Sequence, residues 1–462
     1  MPLFKKKNDE VVGSKKYDEE ANKAAIPSYL IPGILVTTLF FLWGFSYGLL
    51  DTLNKHFKNV LNLTTTETTY MQVAYFGAYF IFSVPASMIS KRFGYKRSII
   101  FGLSLYVIGA VCFYPSAVTL SYGGFIGSLF VIACGITTLE NCANTYITII
   151  GSAKSASLRI NSAHVFNGLA STIAPVVASY AFFGGVEETP NASLDSVKWT
   201  YVGVAGGVAL VAVMFCFAYI PEVDEEALML ADAKESGSEV RRASLLSPHL
   251  LFGAFAQFMY VGAQVCVASM FMFYAAEVGH FKDSTGSILL SVGQGCFTVG
   301  RLLGAILMNR YRADYLMVIF SIGAIISNVF VIAMKTEATT YALLAVMFFE
   351  SILFPTIFSL GTKDLGRNHK RGSSFIVAGV SGGAVLPPVM AAIHDHTNVN
   401  IAFVIPLIAF IVVLIYGLVG HRWIRYVDEP ILNPTSIVDR GFDDNDILKK
   451  DHISQTENID KH

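Results

Sequence analysis

Three carboxylates stand inside apolar runs, where a charge is expensive. Asp51 closes the run FLWGFSYGLLD, Glu140 sits in ACGITTLENCANTYITIIG, and Glu350 lies in VMFFESILFPTIF. A charged side chain at the centre of a membrane helix costs about 2.5–3.5 kcal/mol on insertion scales, so carboxylates retained there point to function, proton relays among them. Each also has a plainer reading. Asp51, beside Asn54 and Lys55, reads also as a solvated helix end; Glu140 also as an interhelical hydrogen-bonding group; Glu350 equally as a packing residue or a substrate contact.

Polar residues recur around these carboxylates at helical spacing. Asn144 follows Glu140 by four positions and therefore shares its helix face. Asn161, His164 and Asn167, at i, i+3 and i+6, fall on one side of the next helix and predict a cavity wall. Tyr260 and Gln264 sit one turn apart, and Gln294 lies in the Gly-rich SVGQGCF. A carbohydrate presents many hydroxyls and flat apolar faces, which amides, carboxyls and aromatic rings recognise. This inventory suits a small sugar better than a metal ion or a strong anion. No H-E-x-x-H pair or Gly-rich nucleotide loop occurs, so neither an enzyme nor a cofactor is expected. The six Cys fall in apolar stretches with no C-x-x-C pair and read as small packing residues.

The elements that must position these groups are membrane helices. The chain has 462 residues, 53 % hydrophobic and 15 % charged, with 35 Phe and 38 Gly. Its mean hydropathy of +0.54 is wrong for two or three soluble domains and right for a helical bundle in lipid. A formal charge of −1 gives no reason to expect nucleic acid. Apolar runs long enough to cross roughly 30 Å of hydrocarbon lie near 30–53, 68–90, 97–115, 119–150, 158–183 and 200–220, and near 248–276, 284–308, 314–334, 339–365, 373–394 and 399–424. The expected organisation is a tail (1–26), a six-helix half (27–221), a linker (222–247), a second six-helix half (248–426) and a tail (427–462). The first 26 residues lack an apolar core followed by a small-residue cleavage site, which predicts that the first helix is retained.

With both termini in the cytoplasm, 28 of the 33 Lys and Arg fall on the cytoplasmic side, leaving Lys55, Lys58, Lys198, Lys282 and Lys335 outside. This bias predicts that orientation. It places the glycosylation acceptors Asn62 and Asn191 in external connections. A basic turn after helix 2 (SKRFGYKR) is echoed by GRLLGAILMNRYR closing helix 8, as two parallel repeats would require.

At FFLWGFSYGLLDTLN, YFGAYFIFSVPASMISKRFGYKRSI, LENCANTYITIIG, RINSAHVFNGLASTIAP, YVGAQ, FPTIFSLGTKDLG and KRGSSFIVAGVSGGAVLPP, the chain resembles the fucose–galactose–glucose:proton symporter family of the major facilitator superfamily. The resemblance spans most of the chain. It implies an all-α membrane protein of twelve helices that imports a monosaccharide with a proton by alternating access. The cargo would be a hexose, a 6-deoxyhexose such as fucose, or an N-acetylated amino sugar such as N-acetylglucosamine. The family's proton-linked carboxylates fall on Asp51 and Glu140 and its polar helix 5 residue on Asn167, while His164 stands where the family often has Gln. The implied partners are a small-molecule sugar, a proton and the lipid bilayer. The glycosylation acceptors and long polar tails favour a plasma membrane. An uncoupled facilitator, a lipid transporter of the same fold and a non-transporting nutrient sensor remain alternatives.

Overall fold

The computed structural model describes residues 31–50, 57, 65–150, 155–183, 190–222, 243–365 and 368–426. Asp51, Asn62, both tails and residues 223–242 of the expected linker lie outside the described residues. Ten stretches among them are long and apolar enough to cross a membrane. One of these, Tyr70–Val118, belongs to a helical run Thr65–Val118 that is two helices joined at Gly94, where the backbone turns to φ 82°, a conformation in which glycine meets no Cβ penalty. With that run divided and Ala156–Phe183 added, the described residues hold twelve helical segments. They are α1 (31–50), α2 (65–93), α3 (95–118), α4 (Tyr122–Ile149), α5 (Ala156–Phe183) and α6 (Pro190–Phe217). The second set is α7 (Pro248–Glu277), α8 (Asp283–Leu307), α9 (Ala313–Ala333), α10 (Glu337–Gly361), α11 (His369–His396) and α12 (Val399–Arg422).

The starts of these helices follow local chemistry. Ser121 caps α4 by accepting from the Gly124 amide at 3.1 Å, and Pro248, with φ fixed near the helical value, opens α7. Proline also opens α6, so that helix begins at Pro190 rather than near 200. Asn191 therefore lies in the first turn of α6 and not in a connection. The outward faces are apolar: Phe80, Ile288 and Phe217, the last 88 % exposed, project from the bundle as side chains that meet acyl tails do. Among the described residues no cysteine is paired; Cys134, Cys142 and Cys266 are buried, Cys296 is half-buried, and Cys112 and Cys216 face outward.

The two sets of helices meet along α5, which packs on α8 and α10, and along α11, which packs on the α2–α3 run and on α4. One end of the bundle is tied by polar contacts. Glu222, just past α6, accepts from the Tyr95 amide at 2.6 Å and lies 3.7 Å from Lys370 Nζ of α11, which sits 4.0 Å over the Tyr95 ring. Ser157 and Ser359 hydroxyls meet at 2.6 Å between α5 and α10 at the same end. There too the segment before α7 is stitched to the segment after α12: Ser244 N donates to Arg425 O at 2.9 Å and Arg425 N to Ser247 Oγ at 2.7 Å.

Candidate functional site

Glu140 stands in the middle of α4 and is 2 % exposed. The Asn144 amide nitrogen, one turn on, lies 3.5 Å from Glu140 Oε1, while Oε2 has no hydrogen-bond partner. Asn144 Oδ1 faces His164 Nε2 at 3.2 Å across the α4–α5 boundary. That acceptor places the ring proton on Nε2 and leaves Nδ1 as a bare acceptor, also without a partner. A polar chain thus runs from Glu140 through Asn144 to His164.

Aromatic rings enclose the far end of this chain. His164 is met by Phe40 at 4.9 Å and Trp43 at 5.2 Å from α1, and by Phe354 at 5.1 Å from α10. Tyr260 of α7 touches Phe354 in turn and donates its hydroxyl to the Glu350 carbonyl at 2.9 Å. The rings therefore come from both sets of helices. Around them, buried polar atoms stand without partners: Glu140 Oε2, His164 Nδ1, Asn161 Oδ1, Glu350 Oε2, and the Tyr75 and Tyr79 hydroxyls of α2. Buried polar groups are normally paired, and each exception calls for an explanation.

Arg301 of α8 completes the cluster. It is 2 % exposed and donates to Asn167 Oδ1 at 2.6 Å, to the His164 carbonyl at 3.1 Å and to the Ser351 carbonyl at 3.0 Å, with its guanidinium 4.4 Å over the Phe297 ring. Two sequence features make this possible. Pro355 has no amide hydrogen to offer Ser351 O, four residues earlier, so α10 breaks at Ser351–Ile352 and that carbonyl is free to accept. Gly300 lets α8 approach: a Cβ there would come within 2.5 Å of Phe348 O. Sequence reasoning missed Arg301, because it was counted among the basic residues closing helix 8. The structure places it inside α8 and buried. Arg159 belongs to the start of α5.

The other expected residues divide. Glu140, Asn144, His164 and Asn167 come together as one hydrogen-bonded group through Arg301, and Tyr260 and Glu350 adjoin it. Asn161 is buried but turns to Ser157 O at 2.8 Å and Thr356 Oγ1 at 3.3 Å, which makes it a tie between α5 and α10. Gln264 and Gln294 are half-buried and take no part in this hydrogen-bond group. Asp51 lies outside the described residues. Among the described residues no cluster of His, Cys, Asp and Glu could hold a metal ion.

Comparison with known proteins agrees with this architecture. The sequence pattern of the Major Facilitator Superfamily matches residues 34–381. The chain is 35 % identical over 391 residues to a glucose/galactose transporter of Brucella abortus, covering 84 % of this chain and 93 % of that one. It is 32 % identical over 419 residues to the L-fucose-proton symporter of Escherichia coli, covering 87 % and 95 %. Among solved structures it matches FucP, a Major Facilitator Superfamily transporter in the outward conformation, with a TM-score of 0.73 and 30 % identity over 85 % of this chain and 99 % of that one.

Proposed function

The chain belongs to the Major Facilitator Superfamily, and from that premise we propose that it imports a monosaccharide together with a proton by alternating access. The relatives named above carry glucose and galactose in one case and L-fucose with a proton in the other, which supports a hexose or 6-deoxyhexose as cargo. An N-acetylated amino sugar fits the same hydroxyl-recognising chemistry. In this reading Asp51 and Glu140 bind the coupling proton. Asn144, His164 and Asn167 take the sugar hydroxyls, and Tyr260, Gln264, Gln294 and Glu350 approach from the other half. Asn161, tied between α5 and α10, shapes the wall. The protein sits in a plasma membrane with both termini cytoplasmic, so the end tied by Glu222, Lys370 and Tyr95 is the closed cytoplasmic one.

The observation that carries the reading is the link from Glu140 to His164. A carboxyl buried in a membrane helix with one oxygen unpaired shares Asn144 with a ring held in an aromatic cage. Flat rings stack on the apolar face of a sugar while the unpaired atoms receive its hydroxyls. Protonation of Glu140 turns an acceptor into a donor, so the bound sugar and the bound proton must change each other's affinity by the same factor.

Reconstitution in proteoliposomes tests this directly. Glutamine mimics the neutral acid, so Glu140→Gln is expected to exchange labelled for unlabelled sugar across the membrane but not to concentrate sugar when the outside is acid. Accumulation equal to wild type with an unchanged pH profile would make Glu140 structural. A wild type that equilibrates sugar without responding to a pH gradient would be an uncoupled facilitator.

A further inference from the structure

Arg301 presents a problem of charge. A guanidinium inside a low-dielectric bundle needs either water or a counter-charge, yet its partners are all neutral: two backbone carbonyls, an amide oxygen, a ring face and the Tyr260 hydroxyl. Glu350 is a carboxylate close at hand. It immediately precedes Ser351, whose carbonyl Arg301 already holds, and it is 1 % exposed. The two do not form an ion pair, and Glu350 Oε2 has no hydrogen-bond partner. Two opposite buried charges so near each other would close on one another. A neutral, protonated Glu350 leaves Arg301 free to take acceptors elsewhere, which is the arrangement observed.

Those other acceptors lie on α5, among the first six helices, whereas Arg301 and Glu350 both belong to the last six. Movement of α5 away from α8 takes His164 O and Asn167 Oδ1 from the guanidinium and leaves the Ser351 carbonyl and Glu350 on its own side. We propose that Glu350 is a further proton-binding carboxyl, beyond Asp51 and Glu140, which gives its proton to water when the halves part at α5–α8 and Arg301 exchanges its α5 acceptors for the carboxylate. The O–H bond of the carboxyl breaks, the electron pair stays on Glu350, and the resulting charge is matched by Arg301. The reverse movement restores the proton. Facing Glu350 are Tyr260 and Cys266 of α7 and Arg301 of α8, with His164 of α5 beyond Arg301. Among the described residues, α9 and α11 bring no further titratable group into interaction with it. The inference rests on the proton-coupled reading above and adds a proton site in the second half.

The test counts protons per sugar. Proteoliposomes carrying a pH-sensitive dye are given labelled D-glucose, D-galactose and L-fucose in turn, and proton and sugar entry are read together. Whatever its rate of sugar exchange, Glu350→Gln is expected to take up fewer protons per sugar than wild type, with a flattened dependence of uptake on pH. Arg301→Gln leaves an ionisable Glu350 with no counter-charge and is expected to lose exchange at least ten-fold, and E350Q added to R301Q is expected to recover it. If Glu350→Gln fails to reach the membrane, the double variant carries the same proton count. A proton-to-sugar ratio and pH profile unchanged from wild type, or a double variant no better than Arg301→Gln, overturns the proposal. A wild type that exchanges sugar and moves no proton overturns the coupling reading itself, and the wild-type control tells the two failures apart.

Discussion

Asn167 is held from two sides, its amide reaching the Phe40 carbonyl at 3.4 Å and its oxygen accepting from Arg301 at 2.6 Å. A hydrogen bond to a charged group contributes about 1.5–3 kcal/mol, and Asn167→Leu removes one without leaving a large cavity. The variant is therefore expected to show a lower thermal midpoint in detergent and a weakened apparent sugar affinity; an unchanged midpoint would mean that water or another group satisfies Arg301. Much of this cluster was legible in the sequence because helical spacing is local arithmetic. Glu140 and Asn144 share a face, as do His164 and Asn167, and a polar stripe in lipid must face inward. Arg301 was illegible for a reason of the same kind. It stands in TVGRLLGAIL, well inside an apolar run, but with the basic residues Arg310 and Arg312 beyond it the segment reads as the basic turn that closes helix 8. The contacts that Arg301 makes with α5 run to residues over a hundred positions away, and no periodicity reports those.

The helices meet through glycines and through one break. A Cβ on Gly44 would overlap the Asn167 backbone, and one on Gly48 would come 2.8 Å from Ala174 Cβ, so α1 lies directly against α5. Gly77 has open space around it. Gly44→Ala is thus expected to be inserted in the membrane but to exchange sugar at least ten-fold more slowly, because the α5 residues that shape the site must shift, while Gly77→Ala should behave as wild type. Equal rates in both variants would show that α5 tolerates the displacement. Element positions follow the sequence closely, since long apolar runs between polar turns leave few alternatives. Two details escaped. The run near 339–365 read as one helix, although Pro355 breaks it at Ser351–Ile352, and α6 starts at its proline, earlier than the apolar run alone implied. Both follow from the missing proline amide, which apolar periodicity does not register.

For the molecule as a whole, the Lys and Arg bias predicts that the 222–247 linker faces the cytoplasm. A single cysteine placed at Ser236 in an otherwise cysteine-free chain is expected to resist impermeant thiol reagents in intact cells and to react after permeabilisation; labelling in intact cells would invert the orientation. The contacts that tie Glu222, Tyr95 and Lys370 would then have to open for release into the cell. Arg301 has a consequence at this scale as well. It is a full positive charge on α8, enclosed by neutral partners, and charge displaced within a membrane does electrical work, about 2.3 kcal/mol per elementary charge per 100 mV for a complete crossing. Any tilt or slide of α8 along the membrane normal therefore moves part of that charge through the field. A voltage to which an uncharged carrier is indifferent would tilt the balance between the two orientations of this one.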